Sequence, residues 1–213
     1  MNAKVNTQIE ETATYNAFMH EINRLSHLID KYPFENPEAY GYYLNQQYFL
    51  IRYTTRLIAL SASMVETGNT REFQWWAEHL QEEMDHDQLI LTDMAEIGYQ
   101  YSDDCEPILR GLSLALFEDI RRHGQDAILG YALMLEGLSM KRCGILAERV
   151  KAAYGTGYSY LNVHGIADEE HFPEGIQRLE TLPQERKKIV LENLYMSSAL
   201  YYSFLSKISK SAH

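Results

Sequence analysis

Apolar residues recur every three or four positions along most of the chain, and the strict alternation of a half-buried strand is scarce. The five prolines leave two long stretches, 38–106 and 108–172, without this helix breaker. The pattern predicts an all-α chain in which about seven helices form a single domain over 1–213. No stretch of disordered composition and no repeat of solenoid length interrupts it.

Turn and capping residues set the limits of the first three predicted helices. The first is expected over about 7–31, and Asn36 is expected to cap a second that ends near residue 66. Thr70 is expected to cap a third, continuous helix that ends at Gly98.

Four further helices are expected in the second half of the chain. Pro173 should stop the sixth, because proline has no amide hydrogen to donate. Thr181 and Gln184 have the spacing of a capping box before the last. The expected limits are about 103–124, 126–154, 158–172 and, for the last helix, from Thr181 to about Lys210.

Histidines and carboxylates recur at a matched spacing in the third and sixth predicted helices. In each, two histidines and the carboxylate between them are spaced i, i+4, i+7, so that all three would project from one helix face. A single glutamate among apolar residues of the fifth helix needs a cation or a proton if it is buried. These candidate metal ligands are His79, Glu83, His86, Glu136, His164, Asp168 and His171.

Imidazole and carboxylate ligands suit iron, manganese or zinc. Seven ligands are too many for one zinc ion and suit two iron ions bridged by a carboxylate in the core of a helical bundle. In the alternative interpretation, the acidic residues form a solvated face and the histidine pairs are incidental. The two cysteines, Cys105 and Cys143, have no evident catalytic partners, and no phosphate-binding glycine loop occurs.

Other patterns each have two interpretations. The heptad-spaced glycines Gly130, Gly137 and Gly144 indicate close approach by either a substrate or a neighbouring helix. Arg52 and Arg56, one turn apart, are either a clamp for a carboxylate or an ordinary surface pair. The 16 tyrosines indicate core and rim packing, with one or two in a substrate cavity.

The charge and composition of the chain narrow its expected partners and location. Nineteen Lys and Arg against 30 Asp and Glu give a formal net charge of −11, so neither nucleic acid nor an anionic membrane is expected as a partner. No 18-residue apolar run occurs, and the first residues lack the apolar stretch of a signal peptide. Two cysteines can form at most one disulfide bond, too few to stabilise a chain of this size, which favours a cytoplasmic location.

The candidate ligands resemble those of the heme-oxygenase-like diiron oxidases and oxygenases, the non-heme branch of the heme-oxygenase-like superfamily. In that branch one helix supplies E-x6-H or E-x2-H, a later helix supplies one glutamate, and another supplies H-x3-D-x2-H. Here Glu83 with His86, then Glu136, and then 164–171 fill these places in order. The resemblance covers roughly residues 10–210.

His79 departs from the family pattern, because many members have a glutamate at its position. Either its imidazole binds the metal, or Glu83 replaces it, with Glu82 as a substitute for Glu83.

The resemblance implies a seven-helix heme-oxygenase-like bundle, two iron ions, dioxygen as co-substrate and a small organic substrate. An amino acid or an amino-acid-derived metabolite is the first choice, through N-oxygenation or oxidative carbon–carbon cleavage including nitrile formation. The alternatives are a fatty-acid-decarboxylating oxidase of the same family, a cofactorless pyrroloquinoline-quinone-synthase-type oxidase, a heme oxygenase and a non-catalytic metal-binding protein. An external reductant and a homodimer are consistent with the resemblance.

Overall fold

The computed structural model describes residues 12–211, in which the chain forms α-helices and no strand, so the all-α prediction is confirmed. The predicted start of the first helix, 7–11, lies outside the described residues. Within residues 12–211, no helix combines the length and the apolar composition that crossing a membrane requires. The helices are α1 (Ala13–Ile29), α2 (Pro37–Ser63), α3 (Thr70–Glu82), α4 (His86–Glu96), α5 (Pro107–His123), α6 (Leu129–Tyr154), α7 (Ser159–Thr181) and α8 (Gln184–Ser211), with a short 3-10 helix at Gln125–Ile128.

Asparagine side chains begin α2 and α3. Asn36 caps α2 as predicted, since its Oδ1 accepts hydrogen bonds from the backbone amides of Glu38 (3.0 Å) and Ala39 (3.1 Å). The predicted cap of α3 was wrong by one position: Asn69 is the cap, and Thr70 is the first helical residue.

The prediction of one continuous helix from Thr70 to Gly98 was wrong, because the chain breaks between α3 and α4. Asp85 has a φ of 69°, in the left-handed region, and is the one non-glycine residue with positive φ among those described. Aspartate tolerates this conformation better than most residues because its short polar side chain can bond locally. The turn buries Glu83, which is 8% exposed, and leaves Met84 56% exposed.

The prediction that Pro173 stops the sixth helix was also wrong, because α7 continues through it to Thr181. Because Pro173 has no amide hydrogen, the carbonyl of Glu169 lacks its helical hydrogen bond. Glu169 is exposed, so water can donate a hydrogen bond to this carbonyl instead. Beyond the proline, Ile176 and Leu179 are almost fully buried, and their burial favours continuing the helix. Thr181 thus lies in the last turn of α7, where its hydroxyl donates to the carbonyl three residues earlier, and the predicted capping box does not form.

The central helix is α6, which packs against α1, α7 and α8 and has its most extensive interface with α7. Two of the three glycines in the predicted pattern allow a neighbouring helix to approach α6 closely. A Cβ at Gly130 would collide with the backbone of α8, and one at Gly137 would collide with Ile22 and Phe172. Gly144 is exposed, and a Cβ there would meet no atom within 4 Å. Close helix packing therefore explains Gly130 and Gly137.

Candidate metal centre

The predicted ligands converge where α3, α4, α6 and α7 meet. On α7, residues 164, 168 and 171 share one helix face as predicted. The other predicted face does not exist, because the break after Glu82 separates Glu83 from His86, which begins α4. Those two side chains meet across the turn instead.

One group of close donors consists of Glu83, His86 and His164. One donor atom from each lies within 4.8 Å of the others, and Glu83 Oε2 is 3.2 Å from His86 Nδ1. The rings of His86 and His164 meet edge to face with centroids 4.7 Å apart. Burial opposes ionisation of Glu83, but the hydrogen bond with His86 and the neighbouring His164 outweigh it and lower its pKa to about 2. Glu83 is therefore ionised and ready to bind a cation.

A second group of donors lies beside the first and consists of His79, Glu82, Glu136 and His171. His79 Nε2 is 3.6 Å from Glu136 Oε1, and its Nδ1 is 3.7 Å from Glu82 Oε2. The same Glu82 oxygen is 3.7 Å from His171 Nε2. Glu82 thus lies beside the same centre as Glu83.

Asp168 lies between the two groups. Its Oδ2 is 3.5 Å from His164 Nδ1 and its Oδ1 is 3.4 Å from His171 Nδ1. Asp168 is only 1% exposed, and neither of its oxygens has a hydrogen-bond partner among the described residues. A buried carboxylate in this state is costly unless a cation compensates for it.

The charges of the second group depend on one another. Burial raises the pKa of Glu136 to about 7, against the opposing effect of His79. Asp168 raises the pKa of His171 to about 9, against the effect of burial. A cation bound here would displace protons from both side chains, because metal ligands bind in their deprotonated forms.

The donor set fits non-heme iron. Imidazole nitrogens and carboxylate oxygens are ligands for a redox-active first-row metal, and no thiolate is among them. Four buried atoms that could bind a metal have no hydrogen-bond partner in the described part of the chain: Nε2 of His164, Nδ1 of His171 and both oxygens of Asp168. Polar atoms buried without partners are rare in proteins, and bound metal ions would satisfy them.

A largely apolar cavity adjoins the centre, with a water-accessible volume of about 60 Å³. Its walls include His79, Glu83, Glu136, His164 and Asp168 from the centre itself. The other walls come mainly from α2 and α6 and include Gln47, Ile51, Thr54, Ile58, Tyr131, Leu138 and Tyr160. The sequence contained no signal for this wall beyond the general expectation that one or two tyrosines line a cavity.

The two remaining candidate groups contribute no catalytic machinery. Cys143 lies on the cavity wall, and burial raises the pKa of its thiol to about 12, so it stays protonated. Arg56 donates to the backbone carbonyl of Arg52 (2.5 Å), and the Arg52 guanidinium lies 4.3 Å from the ring centre of Phe49. The surface interpretation of this arginine pair fits better than a carboxylate clamp.

Comparison with known proteins gives a family match and two structural likenesses. The family of iron-containing redox enzymes matches residues 41–202. A domain of unknown function with a heme oxygenase-like fold from Shewanella denitrificans is 17% identical, with a TM-score of 0.80 over 95% of this chain and 94% of that one. A TenA homologue from Pseudomonas syringae is 14% identical, with a TM-score of 0.74 over 92% and 90% of the two chains. These likenesses show the heme-oxygenase-like fold; no curated protein matches the sequence.

Proposed function

This chain belongs to the family of iron-containing redox enzymes, and we propose that it is a non-heme diiron oxidase or oxygenase that uses dioxygen to oxidise a small organic substrate. Asp168 carries the proposal. Its two unpartnered oxygens face a histidine of each donor group, His164 on one side and His171 on the other. A carboxylate in that position suits a bridge between two metal ions in a bundle core.

The donor groups divide the ligands between two proposed ions. Glu83, His86 and His164 would hold one, while His79, Glu136 and His171 would hold the other, with Asp168 between them. Iron in these positions would supply the electrons and the open coordination position that dioxygen reduction needs.

The chain itself would exclude water and orient the substrate. Side chains from α2, α6 and α8 enclose the cavity beside the ligands, so a small substrate would be held against the centre in an apolar setting. Arg142 on the cavity wall is engaged by Asp30, with Nε 2.9 Å from Oδ1. Binding the carboxylate of an amino acid at Arg142 would compete with this ion pair. We propose an amino-acid-derived metabolite whose carboxylate is absent or masked, rather than a free amino acid.

Anaerobic iron(II) titration tests this proposal. We expect about two iron ions per chain, because the ligands exceed the needs of one ion. Subsequent addition of dioxygen should change the absorbance of the iron-loaded protein, which a merely iron-storing protein of this fold need not show.

The informative variant is Asp168→Ala, which removes the proposed bridge and should bring the stoichiometry to one or below. The matched control is His123→Ala on the exposed end of α5, outside both donor groups, which should still bind two ions. Saturation at one ion in both the wild type and Asp168→Ala would rule out the diiron centre.

A further inference from the structure

Three polar side chains on the cavity wall have no evident role in the fold. Gln47 and Thr54 are seven residues apart on α2 and so lie on one face of it, and Tyr131 lies on α6. Gln47 and Tyr131 are each 2% exposed, and Thr54 is half-buried. All three line the cavity beside the metal centre.

The polar atoms of these side chains are buried without partners. Nε2 of Gln47, Oγ1 of Thr54 and Oη of Tyr131 have no hydrogen-bond partner of good geometry among residues 12–211, although Thr54 lies near the hydroxyl of Tyr131 and Gln47 near that of Tyr201. Burying a polar atom without a hydrogen bond destabilises a protein, and native structures contain few such atoms. Three of them in one cavity indicate that something else accepts their hydrogen bonds.

We infer that Gln47, Thr54 and Tyr131 bind a neutral hydrogen-bond acceptor on the substrate, such as the oxygen of an amide, ester, ketone or alcohol. This inference rests on the proposed function for its claim that the cavity receives a substrate. The amide nitrogen of Gln47 is a donor only and carries two hydrogens, and each hydroxyl donates one, so three donor atoms with four hydrogens face a ligand.

Charge on the cavity wall distinguishes a neutral acceptor from a carboxylate. Within the described chain, Arg142 is the one Lys or Arg that lines the cavity, and its guanidinium is paired with Asp30. Moving a carboxylate from water to uncharged donors in an apolar cavity is costly, whereas a neutral carbonyl loses far less hydration. A cationic amine has no free lone pair, so it would accept none of the hydrogens that these side chains offer.

Three probes with one carbon skeleton test the inference: phenylacetamide, phenylacetate and 2-phenylethylamine. Their affinities are measured by calorimetry on the iron-loaded protein under argon. The variants Tyr131→Phe and Thr54→Val remove single hydroxyls with little change of shape, and Gln47→Met removes the amide. Each should weaken phenylacetamide binding by about two- to tenfold, the range for one lost hydrogen bond.

Two controls separate binding from structure. The free variants should be at least as stable as the wild type, because each removes a buried polar atom that lacks a partner. Tyr154→Phe is the matched control outside the cavity, where the hydroxyl donates to the carbonyl of Phe34 (2.9 Å), and it should leave phenylacetamide affinity unchanged.

The same titrations on chelated protein separate this inference from the diiron proposal. The three side chains are not metal ligands, so phenylacetamide should still bind and the variants should still weaken it, whatever the iron stoichiometry. The inference is overturned if phenylacetamide does not bind, or if Gln47→Met, Thr54→Val and Tyr131→Phe all bind it as tightly as the wild type.

Discussion

Replacing Gly165 by alanine tests whether the spacing of α6 and α7 sets the geometry of the metal centre. Gly165 lies on α7 next to His164, and a Cβ added to it would lie 2.8 Å from the backbone nitrogen of Gly144 on α6. Ordinary van der Waals contact begins at 3.4 Å. The two helices must therefore separate locally by the difference between 3.4 and 2.8 Å, about 0.6 Å, because neither atom belongs to a flexible side chain.

The expected effect on iron binding exceeds the effect on folding. Overpacking costs about 1–3 kcal/mol, and alanine restores about 1 kcal/mol of helix propensity. The free energy of unfolding should thus fall by about 0–2 kcal/mol. Ligand distances in a metal site tolerate only about 0.2 Å, so moving His164 and Asp168 away from Glu136 by three times that amount should lower iron affinity at least about tenfold.

The matched control is Gly144→Ala, on the facing helix. Its Cβ would point into open space, so this variant should gain up to about 1 kcal/mol of stability from helix propensity. Its iron affinity should match the wild type. Urea unfolding and anaerobic iron(II) titration of both variants give the two quantities. Wild-type iron affinity in Gly165→Ala, or an equal loss in Gly144→Ala, would refute the reasoning.

The remaining predictions concern single ligands and the break between α3 and α4. His86→Ala and His171→Ala should each abolish dioxygen-dependent turnover with an unchanged circular dichroism spectrum, because both are proposed ligands. The control His123→Ala should keep the wild-type rate. Normal turnover in either ligand variant would exclude that residue as a ligand. In chelated protein the raised pKa of Glu136, about 7, means that wild-type stability falls as pH rises from about 4.5 to 7. Glu136→Gln should therefore be more stable than the wild type by up to about 3 kcal/mol at pH 8 and by little at pH 4, as measured by urea unfolding; an equal difference at both pH values would contradict this. Asp85→Gly should raise the melting temperature by up to about 4 °C, because glycine adopts a φ of 69° without strain, and a lowered value would show that the turn needs the aspartate side chain.

The helical fold was predictable because its signals are local. Asn36 before Pro37 marks the start of α2, and the apolar period of 3.6 residues continues through each long helix. The break at Asp85 was not predictable in this way, since neither glycine nor proline marks it. At Pro173 the sequence predicted a helix end that does not occur, because the burial of the residues that follow outweighs the local effect of the proline. Both errors arise where tertiary packing decides against a local preference.

The choice of acidic ligand in the third predicted helix shows the same limit. In a continuous helix, Glu82 and Glu83 would point about 100° apart, and the sequence left open which one reaches the centre. The break turns Glu83 inward against His86, while the half-exposed Glu82 side chain contacts His79 and His171 from the outer side. Both glutamates therefore adjoin the centre from different directions.

The polar group on the cavity wall could not be predicted at all, because its residues are ordinary when read along the chain. Gln47 and Thr54 occupy an otherwise apolar face of α2, with Ile51 and Ile58 at the neighbouring positions, and Tyr131 is one tyrosine among 16. What distinguishes the three is that packing removes them from water without giving their donors a partner, which only the tertiary structure reveals. Metal ligands can be recognised in a sequence because metals bind particular residue types, here at helical spacing. Substrate recognition instead uses common side chains, whose role depends on which of their polar atoms the fold leaves without a hydrogen-bond partner.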